Sequence, residues 1–112
     1  MNRKLFFLLT AALMLVSSIV FAEQNKGAAD IRIFAGDKGD VPFPHLKHQT
    51  ALVDCNKCHN LFPQTTASIQ EYQKNGKLKK KQVMDQCREC HRIMAEAGQK
   101  TGPTSCAKCH QK

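Results

Sequence analysis

Three short segments carry the chemistry of this chain: Cys55-Asn56-Lys57-Cys58-His59, Cys87-Arg88-Glu89-Cys90-His91 and Cys106-Ala107-Lys108-Cys109-His110. Each reads Cys-x-x-Cys-His, and together they use all six cysteines. The pattern is the attachment signature of a c-type haem. Two thiols add across the porphyrin vinyl groups as thioethers, and the adjoining histidine is held beneath the iron as its proximal ligand. Two intervening residues give the span that reaches both vinyls from one side. Zinc knuckles and local disulfides also use Cys-x-x-Cys pairs, but neither requires a histidine directly after every pair. The expected cofactors are therefore three covalent haems c, on Cys55 and Cys58, Cys87 and Cys90, and Cys106 and Cys109.

Iron that changes oxidation state with little rearrangement is six-coordinate, so each haem needs a second axial ligand. Besides His59, His91 and His110 the chain has His45 and His48, three residues apart in Pro44-His45-Leu46-Lys47-His48. On one helical turn they can serve two different haems. Five histidines cannot fill six positions. Beyond the leader described below, the methionines are Met84 and Met94. Met84 precedes Cys87 on an expected helix with freedom to face a haem, whereas Met94 follows His91 and has a packing role open to it. The sixth position falls to Met84, to Met94, to a lysine, or stays open, and Met84 is preferred.

The elements that must position these groups are short. Asp30-Ile31-Arg32-Ile33-Phe34 and Val41-Pro42-Phe43 flank a turn-rich Gly36-Asp37-Lys38-Gly39-Asp40, which predicts a small N-terminal hairpin. Pro42 and Pro44 confine its second strand to an edge. Helices are predicted from Ser68 to Lys74, ended by Asn75-Gly76, from Lys79 to Gln86, and from Arg88 to Ala97 with Gly98 as the stop. Gly102-Pro103 forces a turn before the last motif.

Residues 1–22 combine Arg3 and Lys4, an apolar run from Leu5 to Val20 and small residues at the Val20-Phe21-Ala22 junction, the layout of a secretory signal peptide cut after Ala22. The run is shorter than a spanning helix needs, and no cysteine nearby offers a lipid anchor. The remainder, 23–112, is expected to be one haem-bearing domain, monomeric and without a stable membrane anchor. It holds only seventeen Val, Ile, Leu, Met, Phe and Tyr residues and no Trp, too few to offset the entropy of folding. The cofactors must supply the core. Removing the two basic residues of the leader leaves 15 basic and 9 acidic residues, a net +6. Six propionates from three haems cancel that excess, so the charge needs no nucleic-acid partner. Lys74, Lys77, Lys79, Lys80 and Lys81 crowd one stretch, which is either a solvated face or a docking surface for an acidic redox partner.

On these motifs the chain resembles the triheme cytochromes of the c7 family, relatives of the class III cytochromes c. The matching segments are Asp30-Ile31, Gly39-Asp40, Phe43-Pro44-His45-x-x-His48-Gln49, Asp54-Cys55-x-x-Cys58-His59 and Gly102-Pro103-Thr104-x-Cys106-x-x-Cys109-His110. The resemblance implies a small haem-dominated fold, mostly irregular and α with a short two-stranded β segment. It implies that His45 pairs with His59 and His48 with His91. The family's remaining ligand is a histidine just before the middle motif, where this chain has Val83 and Met84; the carry-over pairs His110 with Met84. The stretch from Gln64 to Lys81 looks added to the family pattern. The implied role is a periplasmic electron carrier, not an enzyme, passing electrons between membrane-bound and outer-membrane cytochromes or terminal reductases in metal or sulfur respiration, with metal ions as further acceptors. The rival is a small haem reductase acting at an open third iron.

Overall fold

A computed structural model of the protein describes Asn2, Arg3 and residues 26–112. The rest of the expected leader lies outside the described residues. Alternating Ile31-Arg32-Ile33 and Val41-Pro42-Phe43 form β1 (Ile31–Ile33) and β2 (Val41–Phe43), paired antiparallel with Ile31 opposite Phe43 and Ile33 opposite Val41. With two strands both are edges, so Pro42, which cannot donate to a ladder, is tolerated opposite Arg32. A 3-10 turn over Gly36–Lys38 joins them, and Gly39 closes it at φ +89°, a conformation glycine adopts without cost.

Pro44 stops β2 and opens α1 (His45–Leu52). The segment before the hairpin is laced onto this helix: the Leu46 N–H donates to the Ala29 carbonyl at 2.9 Å and the Gln49 amide to the Lys26 carbonyl at 2.6 Å. The first motif forms the single turn α2 (Asn56–His59), started by the Asp54 carboxylate accepting the Asn56 N–H at 2.9 Å. Next come α3 (Ser68–Lys74), α4 (Gln82–Glu96) and α5 (Cys106–Cys109).

The hairpin and α3 fall where the sequence places them, and α3 stops at Asn75-Gly76, with Gly76 at φ +71°. The two helices expected over 79–86 and 88–97 are one, α4. Nothing in Gln86-Cys87-Arg88-Glu89 breaks a helix, so the middle motif lies inside a continuous fifteen-residue element. Lys79 to Lys81 precede it as a turn, with the Gln82 N–H on the Lys79 carbonyl at 3.1 Å and the Gln82 side chain accepting from the Lys79 N–H at 3.0 Å. Gly98 ends it at φ +73°.

Among the described residues only Leu78 and Ser68 are buried, at 4% and 5% exposure. With two side chains enclosed, the described residues form no polypeptide core, in keeping with a fold organised around cofactors. No helix among the described residues is long and apolar enough to cross a membrane.

Candidate haem-binding site

Helical backbone sets the three motifs. In α4 the sulfurs of Cys87 and Cys90 lie one turn apart, with His91 next in line on the same helix. In α2 and α5 a single turn does the same for the first and last motifs. The motifs converge: the Gln86 amide beside Cys87 donates to the Lys57 carbonyl of the first motif, and the His91 ring donates to the Pro103 carbonyl just before the last. Crowding by protein pushes the Cys87 thiol up to about 11, with the Cys58 and Cys109 thiols adding to it; burial and then Cys90 push Cys58 up. All six thiols are unpaired in the structure, and as thioethers they would no longer titrate.

The histidines share one feature. Each ring donates its Nδ1 proton to a main-chain carbonyl: His45 to Ala28 at 2.9 Å, His48 to Pro44 at 2.9 Å, His59 to Phe62 at 3.2 Å, His91 to Pro103 at 2.7 Å and His110 to Gly39 at 2.9 Å. A carbonyl can only accept, so these bonds fix the tautomer with the proton on Nδ1 and leave the Nε2 lone pair of every ring available to a metal. This is the outer-shell arrangement of a ligating histidine.

Four of the rings face one another in two pairs. His45 and His59 have ring centres 6.3 Å apart at 80°, and His48 and His91 have centres 6.2 Å apart at 33°. Imidazoles bound through Nε2 to opposite sides of one first-row metal, at about 2.0–2.1 Å per bond, hold their ring centres about 6.4 Å apart. Both separations suit one iron between two rings. Phe43 packs on His48 with centres 4.3 Å apart, and Phe62 meets His59 edge-on at 5.2 Å. No three His, Cys, Asp or Glu side chains among the described residues converge as a tetrahedral zinc site requires. The donor set fits haem, which asks for two axial nitrogens and a pair of sulfurs per site.

His110 faces no second ring among the described residues. Met84 and Met94 are both half-buried on α4. The Met94 sulfur takes a long contact from the Thr101 hydroxyl at 3.9 Å and lines a groove with Gln86, Glu89, Cys90 and Ile93, on the side of the middle motif. Met84 stands one turn before Cys87 on the same helix.

The carbonyl partners are the functional groups that sequence reasoning misses. Two of the five carry a trace in the sequence, Gly39 and the Gly102-Pro103 step. A Cβ at Gly39 would stand 2.5 Å from the Gln111 carbonyl oxygen, and one at Gly102 would stand 2.5 Å from Cε1 of His91. Both glycines mark a close approach of backbone to a ligand-bearing segment.

A model of the class III cytochrome C family matches residues 20–110. The chain belongs to the class III cytochrome c family. It is 39% identical over 93 residues to a cytochrome c7 from Geobacter metallireducens, covering 83% of this chain and 88% of that one. The solution structure of the triheme cytochrome PpcA from Geobacter sulfurreducens superposes with a TM-score of 0.53 at 35% identity, over 76% of this chain and 100% of that one. With three attachment motifs, this cytochrome carries three covalently bound c-type haems and works in electron transfer.

Proposed function

We propose that this cytochrome is a periplasmic shuttle, passing electrons from inner-membrane donors to outer-membrane or terminal redox proteins in anaerobic metal or sulfur respiration, with metal ions as further acceptors. The observation that carries the reading is the state of the five imidazoles. All present a free Nε2, and four face in pairs at the separation one iron needs. Iron filled on both faces has no place for a substrate and changes valence with little movement. The haems supply the one-electron chemistry; the chain holds and tunes them.

The assignments are Cys55, Cys58 and His59 with His45 on the first haem, and Cys87, Cys90 and His91 with His48 on the second. Cys106, Cys109 and His110 hold the third, with Met84 opposite. Met84 is supported by the contact that occupies the Met94 sulfur and by the family pattern, whose remaining ligand lies just before the middle motif. The signal peptide ends at Ala22, and residues 23–112 form a monomeric carrier.

The reductase reading draws on one observation, the absence of a ring facing His110 among the described residues. Carbon monoxide added to the reduced protein separates the two readings. A shuttle with six filled axial positions keeps its low-spin spectrum, and a reductase binds the gas at one haem in three. Intact mass should show three haems on a chain beginning at Glu23; fewer haems would sink the proposal.

A further inference from the structure

Between α3 and α4 the chain places five lysines in eight positions, Lys74, Lys77, Lys79, Lys80 and Lys81, all exposed. None takes part in an ion pair among the described residues, where the pairs are Arg32 with Asp40 and Arg92 with Glu89 and Glu96. Local stability does not account for Lys79, Lys80 and Lys81. Lys79 to Lys81 sit at the amino end of the fifteen-residue α4, which has no side-chain cap. The partial positive charge of a helix start repels cations and favours acids there. A segment selected for stability alone would carry the opposite charge.

The lysines stand on a stretch of backbone held by hydrogen bonds. Leu78, within the run, is buried at 4% exposure. The N–H groups of Lys77 and Leu78 both donate to the Tyr72 carbonyl, at 2.8 and 3.0 Å. The Gln73 amide holds the Lys80 carbonyl at 3.2 Å, and the Lys77 ammonium rests 5.0 Å above the Tyr72 ring. A fixed backbone lowers the ordering cost of an encounter. The far end of this ledge reaches the haem motifs: α4 begins directly after Lys81 and carries the chain to Cys87, and on the way the Gln86 amide donates to the Lys57 carbonyl inside the first motif.

We infer that this ledge is the docking surface for an acidic redox protein, an inference that rests on the electron-carrier reading above. Five ammonium groups without an arginine are mobile, well-hydrated point charges. They suit a fast, transient encounter with a carboxylate-rich face and not a tight bidentate lock. A lipid surface is the weaker match. Membrane-seating segments insert apolar side chains, and the ledge's one large aliphatic residue, Leu78, is turned inward.

The test reverses three charges, Lys79→Glu, Lys80→Glu and Lys81→Glu, in the haem-loaded protein. Acids at the start of α4 favour the helix, so the variant is expected to keep or raise its melting temperature, and a loss of rate cannot be put down to unfolding. In stopped flow, with reduced flavodoxin as the acidic protein probe, the wild-type second-order rate should fall with salt. The variant should be slower at low ionic strength by about tenfold or more and should converge on the wild type at high salt. Reduction by photoreduced riboflavin, a small neutral donor, and the three haem potentials should be the same in both proteins. Equal rates with flavodoxin would overturn the inference. So would shifted potentials, which would make these lysines partners of the propionates, or loss of binding to phosphatidylglycerol vesicles with flavodoxin rates unchanged, which would make the ledge a membrane contact. If riboflavin reduces neither protein, the electron-carrier reading fails instead.

Discussion

An alanine at position 102 should perturb the haem held by His91, although Gly102 lies in the segment leading to the last motif. Its Cβ would stand 2.5 Å from Cε1 of His91 and 3.0 Å from each ring nitrogen, whereas non-bonded carbons rest about 3.5–4.0 Å apart. The imidazole or the peptide beside it must retreat by about 1 Å. The next carbonyl, that of Pro103, receives the His91 Nδ1 proton at 2.7 Å, and a retreat of that size leaves no hydrogen bond. Losing such an outer-shell bond weakens a metal–histidine site by about 10–100-fold. For a one-electron couple, each factor of ten borne by one oxidation state alone is about 59 mV. An imidazole without the bond is a poorer electron donor and favours the reduced iron, so one potential should rise, by at most about 60–120 mV. Redox titration followed haem by haem in NMR reads this directly. Gly98→Ala is the control: it strains a φ of +73° with nothing within 4 Å and should cost about 1–2 kcal/mol of stability with no change in potential. If Gly102→Ala lowers the melting temperature but leaves every potential in place, Gly102 is only a packing residue.

Gly39→Ala should act in the same way on the third haem: its Cβ would stand 2.5 Å from the Gln111 carbonyl oxygen, displacing both the Asp40–Gln111 bridge and the carbonyl that holds His110. The same titration should show the potential of the third haem moving while the other two stay. Met84→Ala should abolish a methionine-to-iron charge-transfer band in the near infrared and turn one haem of three high-spin, while Met94→Ala should leave that band intact. A wild-type spectrum from the Met84 variant would remove it as a ligand.

Much of this protein is legible because its signals are local. Asn75-Gly76 ends α3 where the glycine adopts φ +71°, and Gly36 to Asp40 turn the hairpin between two short apolar alternations. The middle motif is less legible. Read as a chemical unit it divides the chain at Cys87, yet Arg88 and Glu89 are good helix formers and α4 runs through it. Attachment chemistry is indifferent to whether its helix is one turn or four. The motif therefore announces the cofactor and says little about the element that bears it.

What the sequence conceals is the set of carbonyls, because any residue can supply one. Their contacts span the chain: Ala28 to His45, Pro103 to His91, and Gly39 to His110 across 71 positions. The proximal rings of the second and third motifs are thus oriented by segments outside those motifs, His91 by the approach to the third and His110 by the hairpin. That hairpin continues through β2 and Pro44 into His45 and His48, and the Pro44 carbonyl itself orients His48. Residues 39–48 thereby touch a ring assigned to each haem. A displacement of the hairpin would be felt at all three sites, so where the described residues bury only two side chains the ligand set and the fold are one network of hydrogen bonds.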